Sequence, residues 1–290
     1  MKITNTLNLP SSFVQMAQRD YIVKDNEYRV TSLLKGVRET ILERRHHSEI
    51  ERDCSDMIWL LFGTAVHSVL EKQQETDSEL KEERMKVSIS KYILSGQFDL
   101  YCAEEKKITD YKTASVWKVI FGDFTDWRRQ LLIYAWMLTQ TGFEVKSGEV
   151  VALLKDHSKS RAKYDKDYPQ QPVVRIPFVF TGNEFVEIKD WLIERFNEIY
   201  RAEQLPDDEL PLCTTEERWN TGNKFAVMKK GRKSALRVLD SRGAADAWMA
   251  VNGKGDYVEM RESEDKKCQD YCPANAFCSY WQEKQRGVRG

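Results

Sequence analysis

The chain has 290 residues, with 45 basic against 46 acidic side chains and a formal net charge of −1. That balance excludes a generally polycationic nucleic-acid coat but not a local basic channel, and 41% hydrophobic residues exclude general disorder. The longest apolar run, Met57 to Val66, is too short to span a bilayer, and Met1 to Pro10 does not read as a signal peptide. A soluble cytoplasmic protein with no membrane partner is expected, with one large domain and a smaller appendage.

In chain order, a charged helix is predicted from Val30 to Arg52, with Thr31 or Ser32 as its cap. A second helix, with a wide apolar face, is predicted from Ser55 to Gln74, capped by Ser55 or Asp53. β-Branched and aromatic residues predict strands over Lys86–Ile93 and Leu94–Ala103. A polar turn at Glu104 to Lys107 leads into a returning strand, Lys107–Thr113. The 3.6-residue apolar period predicts a helix over Asp126–Thr141. Strands follow at Gly148–Lys155 and Val173–Phe180, separated by a polar loop, and then a long amphipathic helix from Asn183 to Ala202. Gln204 to Pro211 reads as a linker. Beyond it lie a hairpin, Phe225–Asp240 around Gly231, a short helix, Ala244–Val251, and a strand, Asp256–Arg261. The expected fold is α/β, a mixed sheet flanked by helices over residues 1–203, with a small α+β domain over residues 204–290.

Two aspartates flank the predicted hairpin turn. Asp99 lies in Gly96-Gln97-Phe98-Asp99-Leu100, and Asp110 begins Asp110-Tyr111-Lys112. On a strand, Asp110 and Lys112 project to the same face. Two carboxylates and one ammonium at one point suit a hard cation such as Mg²⁺ or Mn²⁺, with Lys112 placed to orient water or steady developing charge. His67 sits inside an apolar helix, where an imidazole needs a partner or a metal. Gln130 and Tyr134 stand at i and i+4 on a helix and share a face. Taken singly, each of these features also fits ordinary surface or core packing.

Taken together, His67, Gly96-x-x-Asp99, Asp110-x-Lys112 and Gln130-x-x-x-Tyr134 stand in the order seen in RecB-type nucleases of the PD-(D/E)XK superfamily, and the chain resembles them from Val30 to Ala202. The resemblance implies a restriction-endonuclease-like core and a metal-dependent deoxyribonuclease. It further implies that His67, Asp99 and Asp110 hold the metal, Lys112 serves the attacking water, and Gln130 with Tyr134 supports the site or the DNA. Glu71, one turn after His67, is a candidate outer partner rather than a ligand.

Six cysteines stand at positions 54, 102, 213, 268, 272 and 278, three of them within eleven residues. In a reducing compartment such clustering points to metal or redox chemistry rather than disulfides. Cys268-x3-Cys272-x5-Cys278 needs a fourth thiolate to hold zinc or an iron–sulfur cluster. The arrangement resembles the RecB-type nucleases that carry a 4Fe–4S cluster, among them the AddB nuclease domain and CRISPR-associated exonucleases. Those commonly have two residues between the first two tail cysteines, and the three found here keep zinc open as the alternative. Cys213, in a Pro-rich segment, is preferred over Cys54 as the fourth ligand, and Cys102 reads as a structural thiol.

Lys229-Lys230-Gly231-Arg232-Lys233 places four cations around a turn, a candidate contact to DNA phosphates. No Gly-x4-Gly-Lys-Ser/Thr loop occurs in the chain. The leading expectation is therefore a nuclease module, expected to be an exonuclease of DNA recombination or processing. It would act alone, as in phage or CRISPR-associated relatives, or beside a separate recombination or helicase partner, in the cytoplasm of a bacterium or of a phage's bacterial host. The alternatives are a non-catalytic nucleic-acid-binding or redox-sensing module that retains the fold, and a zinc-stabilised RNA-processing protein.

Overall fold

Residues 1–18, 24–72 and 78–288 are described in the computed structural model, and they fall into two units, Met1–Gln204 and Leu205–Gly290. The first unit runs β1 (Lys2–Thr4), α1 (Ser11–Ala17), β2 (Glu27–Arg29), α2 (Val30–Leu33), α3 (Val37–Arg45) and β3 (Glu51–Asp53). It continues with α4 (Ile58–Glu71), β4 (Glu79–Lys81), β5 (Arg84–Ile89), β6 (Tyr92–Gln97), β7 (Leu100–Cys102) and β8 (Lys107–Ala114). It closes with α5 (Val116–Phe121), α6 (Thr125–Gln140), β9 (Ser147–Leu154), α7 (Lys159–Ala162), β10 (Val173–Val179) and α8 (Gly182–Glu203).

The architecture is mixed α/β. A five-stranded sheet has the order β10-β9-β8-β7-β4, and a three-stranded sheet has the order β2-β6-β5. In the larger sheet only β8 and β9 run parallel, joined through α5 and α6. Helix α6 buries Gln130 to Leu138 continuously, and Leu131, Ile133, Met137 and Leu138 are among the most deeply buried side chains. Helix α8 begins with a reciprocal capping box between Thr181 and Glu184. It presents Ile188, Leu192, Phe196 and Ile199 to the core at helical spacing. Its last residue, Glu203, accepts hydrogen bonds from Tyr28 and Tyr92, each at 2.7 Å, fastening the smaller sheet to the helix.

Three expectations are corrected here. The predicted helix Val30–Arg52 is two helices, because Gly36 adopts an extended backbone and starts α3, which ends at Arg45. Thr31 and Ser32 lie inside α2 rather than capping it. The predicted strand Leu94–Ala103 is also two pieces. The hairpin turns at Ser90, whose φ is 55°, so that β6 ends at Gln97 in one sheet and β7 starts at Leu100 in the other. Asp99 therefore sits at the crossing between two sheets, not within a strand. Helix α4 begins at Ile58, after a 3-10 turn (Cys54–Met57) in which the Ser55 amide donates to the Asp53 side chain. None of its residues is buried, so its apolar face is not a core face. The predicted end of that helix, Gln74, lies outside the described residues.

The second unit holds a three-stranded antiparallel sheet of order β12-β11-β13, built from β11 (Lys224–Met228), β12 (Arg237–Leu239) and β13 (Tyr257–Arg261). Helix α9 (Arg242–Asn252) packs on it, and α10 (Lys266–Asp270) and α11 (Ser279–Val288) follow. Among the described residues, no helix is long and apolar enough to cross a membrane.

Gly96 shows how tightly the smaller sheet meets α6. A Cβ there would lie 2.6 Å from Tyr134 Cε1 and 2.8 Å from Val30 Cγ2. Gly96→Ala is expected to cost about 1–3 kcal/mol in urea unfolding through overpacking. The cost should shrink when Tyr134→Ala removes the ring that Gly96 accommodates.

Candidate active site

Strand register gathers the acidic residues. Leu100 pairs with Thr109 across β7 and β8, and carrying that register one residue further sets Asp99 opposite Asp110. Lys81 pairs with Leu100 across β4 and β7, and the same step sets Glu82 opposite Asp99. The Glu82 amide extends that ladder by donating to the Asp99 carbonyl at 3.1 Å. Three carboxylates thus form a row across adjacent strands, and opposed residues of an antiparallel pair share a face.

His67 of α4 meets the row. Its Nδ1 lies 3.1 Å from Asp99 Oδ1 and 3.7 Å from Glu82 Oε1. Donor atoms of His67, Glu82 and Asp99 all lie within 4.8 Å of one another. Among the described residues, no other trio of His, Cys, Asp or Glu comes as close. Glu82 was not anticipated from the sequence. It stands in a polar run between Leu80 and Met85 and has no motif spacing to mark it. Its carboxylate accepts from Gln97 at 2.7 Å, and Gln97 in turn accepts from Arg84 at 2.8 Å. Glu71 lies close enough for its charge to act on Glu82.

Asp99 is held from its other oxygen, which accepts the Tyr111 amide at 2.6 Å. Asp110 is buried, and its Oδ2 lies 2.8 Å from Lys112 Nζ. The Lys112 ammonium is the group that faces this buried oxygen, and no other side-chain or backbone donor reaches it. Gln130 and Tyr134 are both buried on α6, with Gln130 Nε2 3.4 Å from the Tyr134 hydroxyl. The charges of Asp110 and Asp99 reach that hydroxyl, whose pKa is raised chiefly by burial.

The titration shifts follow from crowding. Burial raises the Asp110 carboxyl, and the Asp99 charge raises it further against the pull of Lys112. Burial and then Asp99 likewise raise Glu82. The Asp99 carboxylate raises His67, overcoming the burial that would lower it. A buried carboxylate oxygen faced by one ammonium, three like charges in a row and an imidazole beside them form a donor set that fits a hard divalent cation.

In the second unit, Asp265 is fully buried and organises the segments that carry cysteines. Burial pushes its carboxyl up, but Asn220 (2.7 Å), Lys284 (2.6 Å), Tyr280 (2.7 Å) and Arg218 (3.2 Å) outweigh it and hold the group well below the usual carboxylate range. Arg218 also donates to the Cys213 carbonyl. The Asn275 side chain donates to the Cys268 carbonyl at 2.9 Å, and the Asn275 carbonyl accepts from the Cys278 amide at 3.2 Å. Burial, then Asp265, then the neighbouring Cys213 and Cys278 push the Cys268 thiol up to about 11. Cys54 belongs to the first unit, where it is buried with Ala17 and Met57 and lies 3.4 Å from Asn5. The Lys229–Lys233 run is exposed around Gly231, whose φ is 80°.

The His67–Asp99 contact predicts a titration. In metal-free protein, the His67 imidazole should titrate above the ordinary histidine value of about 6.5. Asp99→Asn should bring it down, as followed by the ring-proton NMR shifts. The raised value means that this contact stabilises the fold below the unfolded-state pKa, and that the contribution is lost as pH rises through the folded value. No downward movement in Asp99→Asn would contradict this account.

No family model matches the chain, and no curated protein sequence does. Several solved structures align with parts of the chain. One is SSO0001, at 14% identity and TM-score 0.46, covering 68% of this chain and 85% of that one. Another is a phage-related exonuclease from Haemophilus somnus 129PT, at 13% identity and TM-score 0.30, covering 66% and 79%. A third is the alkaline exonuclease LHK-Exo from Laribacter hongkongensis, at 9% identity and TM-score 0.34, covering 62% and 92%.

Proposed function

We propose that the chain is a metal-dependent DNA nuclease, an exonuclease of DNA recombination or processing, with its chemistry in residues 1–203. The observation that carries this reading is the row Glu82–Asp99–Asp110, with His67 against it and the Lys112 ammonium 2.8 Å from Asp110. His67, Glu82, Asp99 and Asp110 are the residues that would hold Mg²⁺ or Mn²⁺. Such an ion supplies positive charge to a phosphodiester and lowers the pKa of nearby water.

The chain's own groups do the rest. Lys112 holds the attacking water by its oxygen and stabilises negative charge growing on the phosphate. The Asp110 carboxylate fixes that ammonium and accepts a proton from the water. Attack forms one P–O bond and breaks another, and the leaving oxygen takes its proton from solvent. Gln130 and Tyr134 hold the wall behind Asp110.

With end-labelled single- and double-stranded DNA, cleavage should require Mg²⁺ or Mn²⁺ and stop in EDTA. Asp110→Asn and Lys112→Ala should each lower the rate about 10²- to 10³-fold with the fold retained. Glu82→Gln should weaken Mn²⁺ binding about ten-fold or more. Near-normal cleavage by the Asp110 or Lys112 variant would overturn the assignment. Binding without cleavage by the unaltered chain would favour the non-catalytic alternative.

The second part of the proposal is that Cys213, Cys268, Cys272 and Cys278 hold a 4Fe–4S cluster within residues 204–290. Among the described residues no three of these thiols gather at one point, so the grouping rests on the tail spacing and the resemblance. The Cys213 carbonyl is tied through Arg218 to Asp265 beside Cys268. Protein purified without oxygen should contain iron and sulfide, and Cys213→Ser should lose them while Cys54→Ser keeps them. One zinc per chain would retain the four ligands and replace the cluster. The exposed Lys229–Lys233 turn is proposed to meet DNA phosphates.

A further inference from the structure

We propose that the exposed aromatic face of α4 and α5 is a base-stacking platform for single-stranded nucleic acid; only the fate of the bound strand rests on the nuclease reading. Helix α4 opens with Ile58-Trp59-Leu60-Leu61-Phe62 and buries none of them. Trp59 is 59% exposed, and on α5 Trp117 is 46% and Phe121 77% exposed. Exposed apolar area of this kind marks a binding surface rather than a folding solution.

The rings are arranged with cations. Lys155 Nζ lies 3.9 Å from the Trp59 ring centroid, Arg161 lies 5.4 Å from that of Trp117, and Lys118 lies 5.3 Å from that of Trp127. Trp117 stacks on Phe121 at 5.9 Å, and Phe124 stacks on Trp127 at 5.4 Å. Arg161 is also paired with Asp165 at 3.0 Å, which fixes its position. Solvent-exposed rings with ammonium and guanidinium groups over one face match an unpaired strand, whose bases stack on the exposed ring surface while its phosphates draw the cations. A second copy of the chain fits less well, because a two-fold contact would set these cations against their own copies.

The platform is held rigidly beside the acidic row. The Lys155 amide donates to the Ala114 carbonyl at 3.0 Å. Asp156 accepts from the Ser115 hydroxyl at 2.6 Å and from the Val116 amide at 2.8 Å. The start of α5 and Lys155 are thereby joined at the carboxyl ends of β8 and β9. Along α4, Trp59 and His67 are eight residues apart, about 12 Å of helix rise. Between them, Gly63 packs close to Thr113, the neighbour of Lys112. A strand stacked on Trp59 and Trp117 would lead its next phosphodiester toward Asp110.

The test uses the full chain in EDTA, so that no cleavage interferes. The probes are a fluorescent single-stranded oligothymidylate of roughly 15 nucleotides, the upper range of such sites, and a blunt duplex of equal length. Trp59→Ala and Trp117→Ala should each weaken single-strand binding about ten-fold or more. Duplex affinity and the thermal melt should be unchanged, and Trp59→Tyr should recover most of the loss. Binding of the single strand should also quench tryptophan fluorescence in the unaltered chain. Unchanged single-strand affinity in Trp59→Ala, or equal loss on both probes, would overturn the proposal. A dimer that Trp59→Lys turns into a monomer would also overturn it, by assigning the face to self-association. Tryptophan-dependent binding with no cleavage in Mg²⁺ would sink the nuclease reading alone, whereas cleavage with unaltered single-strand binding in the variants would sink only the platform.

Discussion

The Tyr111 amide donates to the Asp99 carboxylate at 2.6 Å, and the placement of the acidic row depends on this bond. The chain leaves the smaller sheet at Gln97 and enters the larger one at Leu100, with no strand pairing to hold the residues between. The bond fixes the crossing to β8, and the Glu82 amide on the Asp99 carbonyl fixes it to β4. Backbone hydrogen bonds thus hold three carboxylates in an arrangement that their mutual repulsion opposes. His67 and Lys112 offset part of that repulsion, and the upward shifts of Asp110 and Glu82, led by burial and added to by Asp99, show that the offset is incomplete. The core formed by α6, β8 and β9 supplies the stability that such a site consumes.

Asp265 resolves the same physical problem in the opposite direction. It too is a buried carboxylate, yet four side-chain donors converge on it and favour its charged form. Asp110 has one cation and carboxylate neighbours, so burial dominates and its proton is held more tightly. The contrast separates a fully satisfied carboxylate from an under-satisfied one. A fully satisfied acid organises loops, here those bearing Cys213 and Cys268, whereas an under-satisfied acid retains affinity for a further cation.

Helix α4 shows a related compromise. Its apolar residues would be stabilising if buried, yet they lie on the surface while His67, from the same helix, enters the acidic row. Gly63, midway along the helix, lies against Thr113 of β8. One helix therefore carries an imidazole in the acidic row toward one end and an exposed aromatic face at the other.

Much of this was legible in the sequence. Local periodicity located α6, α8, β9 and β10 to within a residue or two at each end, as well as the hairpin of β11 and β12. A two-residue spacing put Asp110 and Lys112 on one strand face, and a four-residue spacing put Gln130 and Tyr134 on one helix face. These are properties of neighbouring residues, and the repeat of the backbone settles them. Glu82 was invisible for the complementary reason: it joins Asp99 only through the register between β4 and β7, which long-range packing selects. The break at Phe98 and Asp99 and the division of the predicted first helix at Gly36 were decided in the same way, by where two sheets and a core had to meet. The exposure of α4 belongs with them, since an apolar period reports a face but not what, if anything, covers it.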